Sequence, residues 1–151
     1  MRALIIEKCY EWSKKPYQKY FKKSKPWDLA VQDLLSHEES TLGFHLGCFL
    51  LKYNFEIQPK LEDHDVIHVL TNTGISVQEE IGMQYFLLGN GKKSAYLFMV
   101  ILSGTLFYPF HLGEFLKYYK RGKAAYEFHD LNFLRMLDQP IKTIRQSFNI
   151  K

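Results

Sequence analysis

The chain has 151 residues, 46% of them apolar and 16% aromatic, and a net charge of +4. That length reads as one domain, residues 1–151, able to bury a core without disulfides, and the apolar content excludes a disordered chain. The two cysteines, Cys9 and Cys48, follow no metal-ligand spacing and point to a reducing compartment.

The charge is unevenly placed. Residues 1–27 carry eight Lys/Arg against two Glu, and the rest carries twelve against fourteen acids. The opening "RALIIEKCYEW" has too short an apolar run for a signal peptide and no small-residue cleavage site. The expectation is a cytoplasmic protein.

β-Branched alternation is scarce and the apolar spacing is mostly helical, so the expected fold is all-α: a compact domain of about seven helices. "LIIEKCYEW" reads as a first helix, stopped by Pro16. Asp28 is placed to cap "LAVQDLLS", and Ser40 or Thr41 to cap a third helix carrying Leu42, Leu46, Phe49, Leu50 and Tyr53. Gly43 and Gly47 on that helix permit close packing. "NFEIQPK" is a loop. "LEDHDVIHVLT" is the next helix, and "NTG" stops it, with Gly74 expected in the left-handed region. A helix then runs from Ser76 to Leu88. "AYLFMVILSGTLFYPF" is apolar but short of the ~20 residues a spanning helix needs, so it reads first as a buried core helix and second as a lipid-contacting one. "HLGEFLKYYKRGK" is amphipathic. "DLNFLRML" follows, and "DQPIKTIRQSF" closes the chain with Pro140 in a first turn.

The motif with chemistry is "HDVIHVLTNTGISVQEE", residues 64–80. On an α-helix, at about 100° per residue, His64, Asp65 and His68 project within roughly a 100° arc. Two imidazoles and a carboxylate can converge there on one cation; zinc fits first, and iron, cobalt or manganese also suit the set. A further ligand must come from another element. "SVQE" is a capping box, which gives Glu79 a structural task at the helix start. Glu80, about 100° away, is left free to face the preceding helix. The metal reading is therefore His64, Asp65, His68 and Glu80 on a helix–turn–helix. The plainer alternative is that the acids favour a helix N-terminal turn and His68 is an ordinary half-buried histidine.

The pattern H-D-x-x-H, eleven residues, then E, with its "HVLTNTG" and "EIGMQYF" surroundings, resembles the signature of the Coq-four family of coenzyme Q (ubiquinone) biosynthesis proteins. Looser matches are "YYKRGKAA" and the tail "FLRMLDQPIKTIRQSFNI". The resemblance implies an all-helical, metal-binding protein at a membrane surface. It also implies action on a polyprenylated quinone-ring intermediate, by oxidative removal of a ring carboxyl or by organising other quinone-biosynthesis proteins. Glu79 stands where relatives often carry Gly, and with the short chain the resemblance implies a bacterial-type member.

Other signals are more open. "KKPYQKYFKKSKPW" alternates bases and rings. Lys14, Lys15, Lys19, Lys22, Lys23, Lys25 and Trp27 suit an anionic membrane surface, and a solvated arm is the alternative. No nucleic-acid motif accompanies them. Lys120, Arg121 and Lys123 suit a headgroup or carboxylate, or form a solvated helix end. His37, His45, His111 and His129 read as core or surface histidines. The rivals to quinone-ring chemistry are a lipid-binding scaffold, self-associating or not, and an HD-type metal phosphohydrolase. The latter would need His37 or His45 with Asp130 as added ligands.

Overall fold

A computed structural model describes residues 27–57 and 62–151. All regular structure among them is helical. The elements are α1 (Val31–Leu35), α2 (Leu42–Lys52), α3 (Glu62–Thr71), α4 (Val77–Gly89), α5 (Ala95–Phe107) and α6 (Leu112–Ala124). Short 3-10 turns at Pro109–His111 and Phe133–Met136 and a final helix α7 (Ile141–Ser147) complete them. The expected all-α architecture is thus present, in one compact domain. The expected first helix, with the six lysines at 14, 15, 19, 22, 23 and 25, lies outside the described residues.

Local chemistry sets most boundaries. Thr41 caps α2 by accepting a hydrogen bond from the Phe44 N–H. Asp28 does not cap α1. Ala30 is the N-cap, and Asp33, three residues on, accepts from its N–H at 2.7 Å. The left-handed residue after α3 is Asn72 (φ 53°), not Gly74; asparagine tolerates that region. Gly74 instead leaves room for a carboxylate. A Cβ there would sit 2.5 Å from Glu79 Oε2, and its N–H donates to Glu79 Oε1 at 3.0 Å. Pro140 stands at the N-cap of α7 rather than inside its first turn.

The main core joins Leu34, Leu46, Leu70, Phe86, Phe128 and Ile144. Trp27 packs half-buried against it, and its backbone N–H donates to the buried Glu62 carboxylate at 2.8 Å. Helices α4 and α6 meet backbone to backbone. A Cβ on Gly122 would collide with the Phe86 carbonyl, and one on Gly89 with the Tyr119 carbonyl. The tail is strapped to the start of α2: Leu42 N donates to Gln139 O (2.9 Å), Gly43 N to Leu137 O (2.8 Å) and Ile141 N to Ser40 O (2.9 Å).

Helix α5 departs from expectation. Only Leu97 and Gly104 are buried in it, so it is not a core helix. Phe98, Met99, Leu102 and Leu106 are exposed, Leu102 and Leu106 at 74% each, and Phe110 beyond the helix at 96%. Apolar content implies burial by composition alone; the protein instead turns much of it outward. No described helix is long and apolar enough to cross a membrane, and the Ala95–Phe107 and Pro109–Ala124 segments meet at 105°.

Candidate metal centre

The turn between α3 and α4 brings three of the four expected ligands together. His64 and His68 stand one turn apart on α3. Their Nε2 atoms lie 3.1 Å from each other. Glu80 enters from the first turn of α4, with Oε1 3.0 Å from His68 Nε2 and Oε2 3.4 Å from His64 Nε2. The capping box is formed as the sequence implies: Ser76 Oγ accepts from the Glu79 N–H and Glu79 Oε2 from the Ser76 N–H. Glu79 also accepts from the Ser76 hydroxyl at 2.6 Å. With Glu79 so engaged, Glu80 is the acid that faces α3.

Asp65 is half-buried on the same helix and does not join the three-residue cluster. Its charge is still felt, because it contributes to raising the affinity of His68 for a proton. Burial by itself would lower that affinity; the Glu80 carboxylate, by hydrogen bond and charge, outweighs it, and the His68 ring is held above its ordinary value. Burial would likewise raise the Glu80 carboxyl, but the two imidazoles hold it well below the usual carboxylate range. Glu80 is therefore an anion at neutral pH.

The fit to a cation can be tested on the geometry. The three donor–donor separations are 3.0, 3.1 and 3.4 Å. Ligands at zinc-like bond lengths on adjacent tetrahedral corners stand about 3.3 Å apart. Glu80 Oε2 is buried and makes no hydrogen bond, which is costly unless a positive partner is present. Two ring nitrogens 3.1 Å apart cannot both direct a proton along that line. The donor set thus fits a divalent ion on three protein ligands with room for others.

The walls are aromatic. The Phe49 ring stacks on His68 at 5.5 Å, and Tyr53 and Phe55 continue from it toward the surface. The sequence reading does not assign this wall to the site; its signal is Phe49 on α2 with Tyr53, the helix's C-cap, one turn further on.

The remaining candidates are placed elsewhere. The Arg121 guanidinium is taken up by the carbonyls of Thr71 and Lys151 and lies over the Phe86 and Tyr118 rings. Lys120 and Lys123 are exposed. Arg145 donates to the carbonyls of Leu70 (3.0 Å) and Val69 (2.7 Å). Two arginines from distant elements thus satisfy the last carbonyls of α3, which a helix end leaves without partners. His37 pairs with Asp138 at 2.8 Å, His111 with Glu114 at 3.3 Å, and His129 reaches the Asn90 carbonyl at 3.1 Å, while His45 is exposed.

No family model matches the chain, and no curated protein matches it. Among solved structures, it is similar to a Nostoc punctiforme PCC 73102 protein whose name provisionally assigns it to ubiquinone biosynthesis. The TM-score is 0.69 and the identity 20%, over 85% of this chain and 71% of that one. The two share a fold.

Proposed function

We propose that this chain is a metal-binding protein of ubiquinone or related prenylquinone biosynthesis, working at a membrane surface on a prenylated carboxyphenol. The observation that carries the metal reading is the buried Glu80 Oε2, without a hydrogen bond, beside two convergent imidazole nitrogens. The quinone reading is supported by the H-D-x-x-H…E resemblance together with the shared fold of the Nostoc protein.

His64, His68 and Glu80 would hold the ion, with Asp65 adding negative charge nearby. Zinc suits the donors, and iron, manganese or cobalt would also be held. The ion supplies Lewis acidity toward a ring carboxyl or phenolic oxygen. The Phe49–Tyr53–Phe55 wall offers ring faces against which an aromatic substrate stacks. The outward apolar face of α5 suits a substrate whose tail stays in a bilayer. Exposed Lys120 and Lys123 are then the cations left for a headgroup, Arg121 being engaged. Oxidative loss of a ring carboxyl needs an electron acceptor, which the test must supply.

A scaffold role, presenting quinone intermediates to partner enzymes, is favoured by the same apolar face. The phosphohydrolase reading loses its added ligands: His37 is paired with Asp138, and no further His or Asp joins the cluster among the described residues. The deciding experiment has two parts. Metal content is measured on untagged protein for the wild type and His68→Ala; equal content sinks the site. A prenylated carboxyphenol is then incubated with metal-loaded protein and dioxygen. Carbon dioxide release supports an enzyme, and binding without turnover supports the scaffold.

A further inference from the structure

Behind His68, on the side away from Glu80, a chain of buried hydroxyls fixes where the ring carries its proton. Thr71 Oγ1 lies 2.7 Å from the Ile67 carbonyl, one turn back on α3. A carbonyl only accepts, so the Thr71 proton is committed there. Thr71 Oγ1 also lies 3.0 Å from Thr73 Oγ1. With its own proton spent, Thr71 accepts and Thr73 donates. Thr73 Oγ1 in turn lies 3.1 Å from His68 Nδ1. Its proton is now spent as well, so it can only accept, and His68 Nδ1 must be the N–H.

A neutral imidazole has one N–H. Placing it on Nδ1 leaves Nε2 as a bare lone pair, and Nε2 is the atom that faces Glu80 and His64. Thr71, Thr73 and His68 are all buried, at 1%, 4% and 2% exposure, so water does not replace these bonds. Without the relay, the neutral ring would do better to protonate Nε2 and donate to Glu80, which blocks the ligand position.

We infer that Thr73, backed by Thr71, is a positioning residue that selects the metal-binding tautomer of His68. This rests on the metal reading above. Partners of this kind, behind a ligand histidine, typically contribute 10–100-fold to metal affinity.

The test uses full-length, 15N-histidine-labelled protein. In the wild type, metal-free and at a pH that keeps the ring neutral, the His68 nitrogen shifts should show Nδ1 protonated and Nε2 bare. Thr73→Val should move the proton toward Nε2 and lower zinc affinity about 10–100-fold in chelator competition. Thr73→Ser should restore both. Thr71→Val frees Thr73 to turn its hydroxyl proton toward His68, and should give a smaller loss in the same direction. A bare Nδ1 in the wild type overturns the inference, whether or not any variant folds. So does a folded Thr73→Val protein with unchanged tautomer and affinity. If the wild type binds no zinc, the metal reading fails while the nitrogen shifts still report on the relay.

Discussion

Glu79 and Glu80 are adjacent acids with separate tasks, and their substitutions should separate cleanly. Glu79→Gln weakens the capping box and the bond to the Gly74 N–H. It should cost roughly 0.5–2 kcal/mol in urea denaturation and leave metal content intact. Glu80→Gln should lose metal, and in chelator it should also lose the pH-dependent stability that the His68–Glu80 pair gives the wild type. Matching metal loss in both variants would refute this division. The pH response follows from the same cluster. His68 has a raised folded value, so in metal-free protein its stabilisation is full below the ordinary 6.5 and is lost as pH rises through the folded value. Metal binding needs the neutral ring and runs the other way, strengthening over that same rise. Stability against pH should therefore fall above about 6.5 in chelator and rise with saturating zinc. Parallel curves with and without zinc would contradict the assignment of His68 as a ligand. Glu80, held low, gives stability that disappears only as pH falls below the ordinary carboxylate value toward its folded one.

At the scale of elements, the contact of α4 with α6 should be the least forgiving in the molecule. Gly122→Ala places a methyl against the Phe86 carbonyl, where backbone cannot yield. Gly113, on the same helix, has open space around its Cβ position. Gly113→Ala should stabilise by up to about 1 kcal/mol through helix propensity, while Gly122→Ala should destabilise by about 1–3 kcal/mol. Similar denaturation midpoints for the two would show that α4 and α6 are not in contact as described. That contact was hidden in the sequence, because Gly89 and Gly122 lie far apart and nothing local pairs them. What was legible was local. Ser76 and Glu79 announce a helix start at fixed spacing, the Ser40-Thr41 pair announces another, and His64 and His68 share a face by periodicity alone. Asn72 and Gly74 were harder. Both residues suit a left-handed turn, and only the Glu79 carboxylate folding back shows why the glycine stands second. Asp65 met the face criterion and yet stays out of the cluster, since a shared face does not fix side-chain reach.

Across the whole molecule, the reading that failed was of α5. Its apolar content could not say which way it faced, because a buried helix and a lipid-facing one have similar compositions. Phe98, Leu102 and Leu106 recur every fourth residue, and Phe110 extends the row. Burying each such side chain is worth about 1.5–3 kcal/mol. The N-terminal lysines, by contrast, would give about 1 kcal/mol each near an anionic surface, reduced by salt. Binding to anionic vesicles should therefore fall with salt to a floor that persists. Leu102→Glu with Leu106→Glu should remove the floor and leave the salt-dependent part. If the floor survives in that variant, α5 is not the docking face. If wild-type protein sediments as a dimer that this variant dissolves, the face belongs between two copies.

The grip of Arg121 and Arg145 on the last carbonyls of α3 has a dynamic consequence. Helix α3 cannot fray at its C-terminal end unless two guanidiniums on α6 and α7 let go together. The amides of residues 66–71 and those of 141–147 should therefore open to solvent as one cooperative unit in native-state hydrogen exchange. Arg145→Gln should speed exchange in both stretches, although they lie some seventy residues apart in the chain. His64 and His68 would then keep their spacing only as long as the tail of the protein stays docked.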